Sequence, residues 1–380
     1  MSKKTSGSKV QFDVLIVGAG AAGLGVADAF SARGLKVAVV SRRDDRGEAS
    51  PRAAGILDPL LEQNQRSSLI PAAIEAFHQF PSFLERLKRA TGSNAFYKRT
   101  GMIYLAVSPA EKRELEKRYR WQKKWMPSIC LLEKEEVRRK FPQANAEVCL
   151  GLYYPQVGKI NAPEFIKIFK SYLSGRGVRF FLTSEFVQIK KADGGKFFLV
   201  KAGSRLFTAD KVVNAAGAWA SDPKLMGQKL PVAPVRGQML TLKGQKSFPV
   251  IFHSLTGGYL VPWDKGVHLA GSTVEHEGFR DRVTAEGRKS ILAKVGKVCP
   301  EALKMKEIGA WAGLRPCSAD NMPVLGAVQG SEGYYAATGY FRSGILLCAF
   351  LGELLAEFAL SGIVHPLMKP FLPRRFQTKP

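Results

Sequence analysis

Phe12-Asp13-Val14-Leu15-Ile16-Val17-Gly18-Ala19-Gly20-Ala21-Ala22-Gly23 is the stretch whose reading decides the fold. Phe12 to Val17 is apolar and β-branched, as a strand buried on both faces requires. A G-x-G-x-x-G pattern follows at once, and residues 22–33 read as a helix. Leu35-Lys36-Val37-Ala38-Val39-Val40 reads as a second strand, so residues 12–41 form a strand–helix–strand unit of the expected length. In such a unit the first glycine permits a tight turn and the second lets a pyrophosphate approach the backbone. The third lets helix and strand pack closely, and the helix N-terminus faces the phosphates. Gly18, Gly20, Ala22 and Gly23 are therefore expected to hold a dinucleotide. The acid that usually holds the ribose hydroxyls is missing. Ser41 stands there, followed by Arg42 and Arg43. Serine can still hydrogen-bond a ribose, and the arginines can face a phosphate. The pattern alone leaves NAD, NADP and FAD open.

The rest of the composition suits a globular chain. Of 380 residues, 46% are hydrophobic and 23% charged, which excludes a disordered or fibrous protein. The longest apolar stretch, residues 344–360, is interrupted by Glu353 and Glu357, so no segment is expected to span a membrane. The five cysteines include no C-x-x-C pair. No disulfide framework or metal site is expected, and a reducing, cytoplasmic setting is. Residues 1–10 read as a loose basic tail. Lys and Arg number 57 against 32 Asp and Glu, a net charge of +25. Such a field attracts polyanions, although a general lysine bias gives the same total.

Interleaved patterns suggest a mixed α/β fold of two discontinuous domains. Residues 69–91 and 110–125 read as helices, and residues 180–207 as strands turned at Asp193-Gly194-Gly195. Residues 210–218 read as a strand ending at Gly217, residues 231–273 as a strand-rich block, and residues 344–361 as the last helix. A Rossmann-like nucleotide-binding domain is expected from residues 1–90, 151–224 and 311–380. A sheet-containing substrate domain is expected from 91–150 and 225–310.

Six further segments narrow the choice. They are Ala49-Ser50-Pro51-Arg52-Ala53-Ala54-Gly55-Ile56-Leu57, Val212-Val213-Asn214-Ala215-Ala216-Gly217-Ala218-Trp219-Ala220, Gly258-Tyr259-Leu260-Val261-Pro262, Ala270-Gly271-Ser272-Thr273-Val274-Glu275, Trp311-Ala312-Gly313-Leu314-Arg315-Pro316 and Ala337-Thr338-Gly339-Tyr340-Phe341-Arg342-Ser343-Gly344-Ile345. In this order they resemble the D-amino-acid-oxidase-like FAD oxidoreductases, and within them the glycine oxidases. Tyr154-Pro155-Gln156 with Gly158, and Gly55-Ile56-Leu57 leading to Pro59, are also similar to the FAD domain of a bifunctional tRNA wobble-uridine enzyme. That domain removes a carboxymethyl group from a carboxymethylaminomethyl-uridine.

The resemblance implies a glutathione-reductase-type FAD domain and non-covalent FAD. The implied reaction takes hydride from the Cα of a small amino acid or amine to flavin N5, giving an imine that hydrolyses. Oxygen or another acceptor would take the electrons. By the same resemblance Arg315 anchors the substrate carboxylate, as planar bidentate guanidinium geometry suits, with Asp320 as its alternative protein partner. Tyr259 would add a hydroxyl donor. Arg342, Ser343, Gly344 and Ile345 would bring a helix N-terminus to the flavin edge that becomes negative on reduction. Ser50, Ala54, Gly55, Phe186, Gly217 and Trp219 complete the expected cofactor contacts. Tyr340 stands where glycine oxidases have a histidine.

Residues 111–125 mix seven Lys and Arg with Tyr119, Trp121 and Trp125. Cations interleaved with aromatics suit phosphate contact and base stacking, so tRNA is a candidate partner beside the small amine. The plainer reading is a solvated helix with its aromatics turned to the core. Homo-oligomerisation stays open.

Overall fold

The computed structural model describes residues 10–43, 47–60, 67–95, 97–184, 187–192, 195–226 and 230–376. The strand Val10–Val17 lies at the centre of the first sheet, where Val14, Leu15 and Ile16 are fully buried. It pairs in parallel with Val37–Arg42 on one side and Arg205–Asn214 on the other. Arg179–Thr183 extends the sheet beyond Val37–Arg42, again in parallel. The far half of Arg205–Asn214 carries Tyr334–Thr338 in parallel, and Val324–Ala327 completes that edge. Val187–Lys191 and Phe198–Ala202 add an antiparallel hairpin. The central parallel strands end at Val17, Arg42, Asn214 and Thr338. Their carboxyl ends share one edge, where open α/β sheets bind ligands.

The helix Ala21–Ser31 crosses the first sheet and packs on Gly344–Ser361. Two glycines make that crossing close. A Cβ on Gly25 would stand 2.0 Å from the Cys348 carbonyl oxygen, and one on Gly352 would stand 2.4 Å from Gly25. The 18-residue Gly344–Ser361 helix is long and apolar enough, by composition alone, to pass for a membrane span. Here more than half of it is buried, against Ala21–Ser31 and Ile70–Thr91. Its exposed Glu353 pairs with Arg33, with Nη1 to Oε2 at 3.0 Å, so the acid marks the solvent face of a core helix.

A second eight-stranded sheet runs Lys306–Ser318, Val232–Lys243, Val267–Gly271, Tyr259–Pro262, Ile251–Ser254, Met102–Ala106, Leu150–Tyr154 and Cys130–Glu133. Its pairs are antiparallel except Ile251–Ser254 with Met102–Ala106. Ile56–Leu57, Gly158–Lys159 and Lys98–Arg99 form a small third sheet.

Three local readings change. The strand Leu150–Tyr154 belongs to the second sheet, and so does all of Lys306–Ser318, so the segments feeding that sheet run to 154 and 318. Strand periodicity gives side-chain alternation, not the identity of the partner sheet. Residues 205–214 are one continuous strand, and Gly217–Trp219 is a short 3-10 turn instead of a strand end. The basic tail lies outside the described residues apart from Val10, which opens the first strand, and so do Asp193 and Gly194.

Candidate functional site

At the carboxyl edge of the first sheet, Gly18 has φ +113°, and a Cβ there would stand 2.2 Å from the Ala215 carbonyl oxygen. No residue with a side chain fits. The next turn opens the Ala21–Ser31 helix, whose first turn holds no acid and no side-chain cap. Ala21 and Ala22 of its first turn line a cavity of about 340 Å³, whereas Gly23 packs against the glycine turn, where a Cβ would stand 2.0 Å from Gly18 O. Ser50 seats the second loop on this cradle by accepting a hydrogen bond from Ala21 N at 3.0 Å. Ala54 and Gly55 line the same cavity.

The third wall follows the strand Arg205–Asn214. Asn214 is buried, donates from Nδ2 to Ala220 O at 2.9 Å and Tyr334 Oη at 3.1 Å, and accepts from Ala216 N at 3.2 Å. These bonds fix the turn that carries Gly217 and Trp219, and Thr338 Oγ1 adds a 2.9 Å bond to Gly217 O. Asn214 was part of a recognised segment but was not expected to hold the turn. At the end of the second strand, Ser41 is buried and lines the cavity. Arg42 stacks over the Trp219 ring, 4.2 Å from its centroid. Phe186 lies outside the described residues.

The same cavity continues to the second sheet. Arg315 lies on Lys306–Ser318, opposite Val235, and its guanidinium extends over Gly237 of the neighbouring strand. Nη1 donates to Thr273 O at 3.0 Å and Nη2 to Ser272 Oγ at 2.9 Å. These bonds orient the side chain along the wall of the cavity that it lines. Asp320 is bonded to Arg375 instead, at 2.7 and 3.0 Å. Burial raises the Asp320 pKa, but the Arg375 bonds outweigh it and hold the carboxyl below its usual value.

Tyr259 is buried at the start of Tyr259–Pro262, which lies beyond Val232–Lys243 and Val267–Gly271 from the Arg315 strand, and it lines the same cavity. Its hydroxyl points at Met239 Sδ, 3.1 Å away. A methionine acceptor is weak, so the hydroxyl can turn to a better one at low cost. Behind it, the imidazole of His253 stacks on Tyr104 at 4.2 Å.

Arg342, Ser343, Gly344 and Ile345 line the cavity where the last helix begins. Ser343 is its N-cap but makes no side-chain cap bond, so the first-turn amides face the cavity. This loop is pinned to the Arg315 strand: Phe341, with φ +47°, donates its N–H to Pro316 O at 2.9 Å, and Tyr340 bridges to Cys317. Tyr340 is itself buried, and burial pushes its phenol pKa far up. Arg315, Tyr259 and Arg342 thus line one cavity with the Gly18 turn. Gly237, Met239, Ser272 and Thr273 were not expected to support it.

The basic helix spans Pro109–Gln122, shorter than residues 110–125. Lys112 pairs with Glu133, Arg118 with Glu114 at 3.0 Å, and Glu111 with Lys297. Tyr119 and Trp121 pack against the core. Arg113, Lys117, Arg120, Lys123 and Lys124 are exposed, as is Trp125, so these face solvent while Lys112, Arg118, Tyr119 and Trp121 are tied to the fold.

A glycine cradle at the edge of a parallel sheet, joined by one cavity to an arginine on a second sheet, defines a two-part dinucleotide-cofactor protein. Residues 13–358 match the DAO family, FAD dependent oxidoreductase, and the chain belongs to that family. Glycine oxidase of Pseudomonas aeruginosa is 29% identical over 358 residues, covering 94% of this chain and 96% of that protein. Glycine oxidase of Geobacillus kaustophilus is 28% identical over 350 residues, covering 91% and 92%. The crystal structure of the Geobacillus enzyme superposes with a TM-score of 0.90 and 26% identity, over 97% of this chain and all of that one. The protein is an FAD-dependent oxidoreductase. The residues present fit the cofactor: the Gly18 cradle excludes a Cβ, and two helix N-termini present amides to anionic edges.

Proposed function

We propose that this flavoprotein oxidises the Cα–N bond of a small amino acid or N-substituted glycine, and that it works in the cytoplasm. The observation that carries the substrate class is Arg315, held over Gly237 by two neutral acceptors inside the cofactor cavity. In this reading the first sheet and its helices bind FAD, and the second sheet positions the substrate.

The bound flavin supplies the acceptor for the hydride that leaves the substrate Cα. Arg315 binds the substrate carboxylate through its fork of donors, and Tyr259 turns its hydroxyl from Met239 to the same group. The carboxylate so held fixes the Cα–H in one orientation, which is the proximity contribution of the site. Arg342 and the helix amides at Gly344 and Ile345 would favour negative charge on a cofactor bound in the cavity they line. The amine reacts as its neutral form, and the imine product hydrolyses in water. Oxygen is the simplest final acceptor, and a quinone or partner flavoprotein would serve equally. The other reading, a tRNA carboxymethylamino group as substrate, would draw on the exposed Arg113, Lys117 and Arg120 of the Pro109–Gln122 helix, with Lys123 and Lys124 just beyond it.

Anaerobic mixing of the flavin-loaded protein with glycine, sarcosine, D-alanine or tRNA bearing carboxymethylaminomethyl-uridine tests the proposal. Bleaching of the flavin by a free amino acid supports it. Bleaching by tRNA alone, in a reaction that weakens steeply with salt, overturns it.

A further inference from the structure

Between the second-sheet strands and the helix Ala285–Val298, residues 275–284 form a loop with a fixed neck and an exposed tip. Gln238 is fully buried and grips both ends of the neck. Its Nε2 donates to the Glu275 carboxylate at 2.9 and 3.0 Å, and its Oε1 accepts from Thr284 N at 2.7 Å. Arg236 adds an ion pair to Glu275 and exchanges two backbone bonds with it, at 2.9 and 3.0 Å. Thr284 then caps the following helix, accepting from Gly287 N at 3.1 Å.

The tip reaches back to the nucleotide-binding side. Phe279 is 54% exposed, yet its ring stacks on Trp219 at 5.6 Å and 29°. The same indole carries the Arg42 guanidinium at 4.2 Å. Gly47 closes the group: a Cβ there would stand 3.2 Å from Trp219 Cη2 and 3.5 Å from Asp281 Oδ2, and its carbonyl accepts from Leu314 N at 2.9 Å. Arg42 and Trp219 line the cofactor cavity beside Ser41 and Leu225, whereas Phe279 stands behind Trp219.

What singles Phe279 out is not its exposure but its partner, the stacked indole of Trp219, which lines the cofactor cavity. We propose that Phe279 is a positioning residue for cofactor retention: it braces Trp219, and with the Arg42 guanidinium the two aromatic side chains clasp the second-sheet loop to the nucleotide end of the cavity. Flavin leaves when this clasp opens. The acid missing at Ser41 makes the device intelligible, because a ribose without a carboxylate partner gains from a wall held shut by stacking. This inference rests on the flavin, not on the choice of substrate.

The test is the rate of FAD release from the loaded protein, followed by the rise in flavin fluorescence. Stacking of this kind sets the scale, and Phe279→Ala is expected to speed release about 3- to 10-fold. Phe279→Tyr is expected to restore the original rate, and the thermal stability of the apoprotein is expected to be the same in all three. Release from Phe279→Ala at the unaltered rate overturns the proposal. So does faster release that Tyr does not rescue, or that comes with an equal loss of apoprotein stability.

Discussion

Gly237 lies directly under the guanidinium of Arg315: a Cβ at residue 237 would stand 2.2 Å from Nη1 and 2.3 Å from Nη2. The strand opposite Arg315 must therefore lack a side chain at that one position for the arginine to lie flat on it. Gly237→Ala is expected to lift the guanidinium from Ser272 Oγ and Thr273 O while the nucleotide cradle stays whole. Flavin content should be unchanged and KM should rise about 10-fold or more, by loss of charge-assisted bonds. Titration with substrate at constant flavin absorbance checks this, and an unchanged KM would refute it.

Removing the anchor itself has a larger effect. In Arg315→Ala the substrate carboxylate loses a bidentate charged partner inside the cavity, a loss of about 3 kcal/mol. The rate of flavin reduction per molar substrate is expected to fall about 100-fold or more, with the flavin still bound. Amines without a carboxylate should be affected far less, and a parallel loss for both substrate classes would count against the anchor.

His253 makes the fold sensitive to acid. It is fully buried with Nδ1 2.8 Å from Ser254 O, and burial pushes its pKa from 6.5 down to about 3, against that bond and with help from Arg342 and Arg118. The unfolded chain therefore binds a proton between about pH 6.5 and 3 that the folded chain refuses. Stability contributed by the neutral ring is complete above pH 6.5 and falls as the pH drops through that window, by about 2 kcal/mol at pH 5. Melting curves from pH 7.5 to 4.5 should be shallower for His253→Gln than for the parent protein. Parallel curves would exclude the histidine as their source.

The helix crossing at Gly25 gives a stability prediction. An added methyl meets the Cys348 carbonyl at 2.0 Å, a backbone atom that cannot swing aside. Gly25→Ala gains helix propensity of about 1 kcal/mol but must push the two helices apart. Overpacking of this kind costs about 1–3 kcal/mol, so a lower melting temperature and weaker flavin retention are expected together. An unaltered melting temperature would mean that the crossing has room to spare.

How much of this was legible beforehand depends on whether a residue acts through its own side chain. Gly18, Gly20 and Gly23 were readable because the strand, turn and helix that use them are contiguous. Arg315, Tyr259 and Arg342 were found through resemblance, since they lie far apart in sequence and meet only when two sheets face one cavity. Gly237 was not found, because what it contributes is the absence of atoms beneath a residue 78 positions away. Ser272 and Thr273 were recognised as part of a segment, but an acceptor's partner is set by strand pairing and not by local pattern. The sheet membership of Leu150–Tyr154 was hidden for the same reason. Arg42, read as a phosphate contact, lies on Trp219, a partner supplied by a turn nearly half the chain away.

The pairing of the first helix with the last has a consequence for the order of assembly. The glycine turn and the Ala21–Ser31 helix it opens are synthesised long before Gly344–Ser361, the helix against which Ala21–Ser31 packs. Tyr334–Thr338, which borders the same sheet, also arrives late. A ribosome-bound chain therefore exposes a half-built dinucleotide fold whose apolar faces have no partner. The dinucleotide fold is completed only once Gly344–Ser361 has emerged, and a chain lacking that helix is expected not to retain flavin.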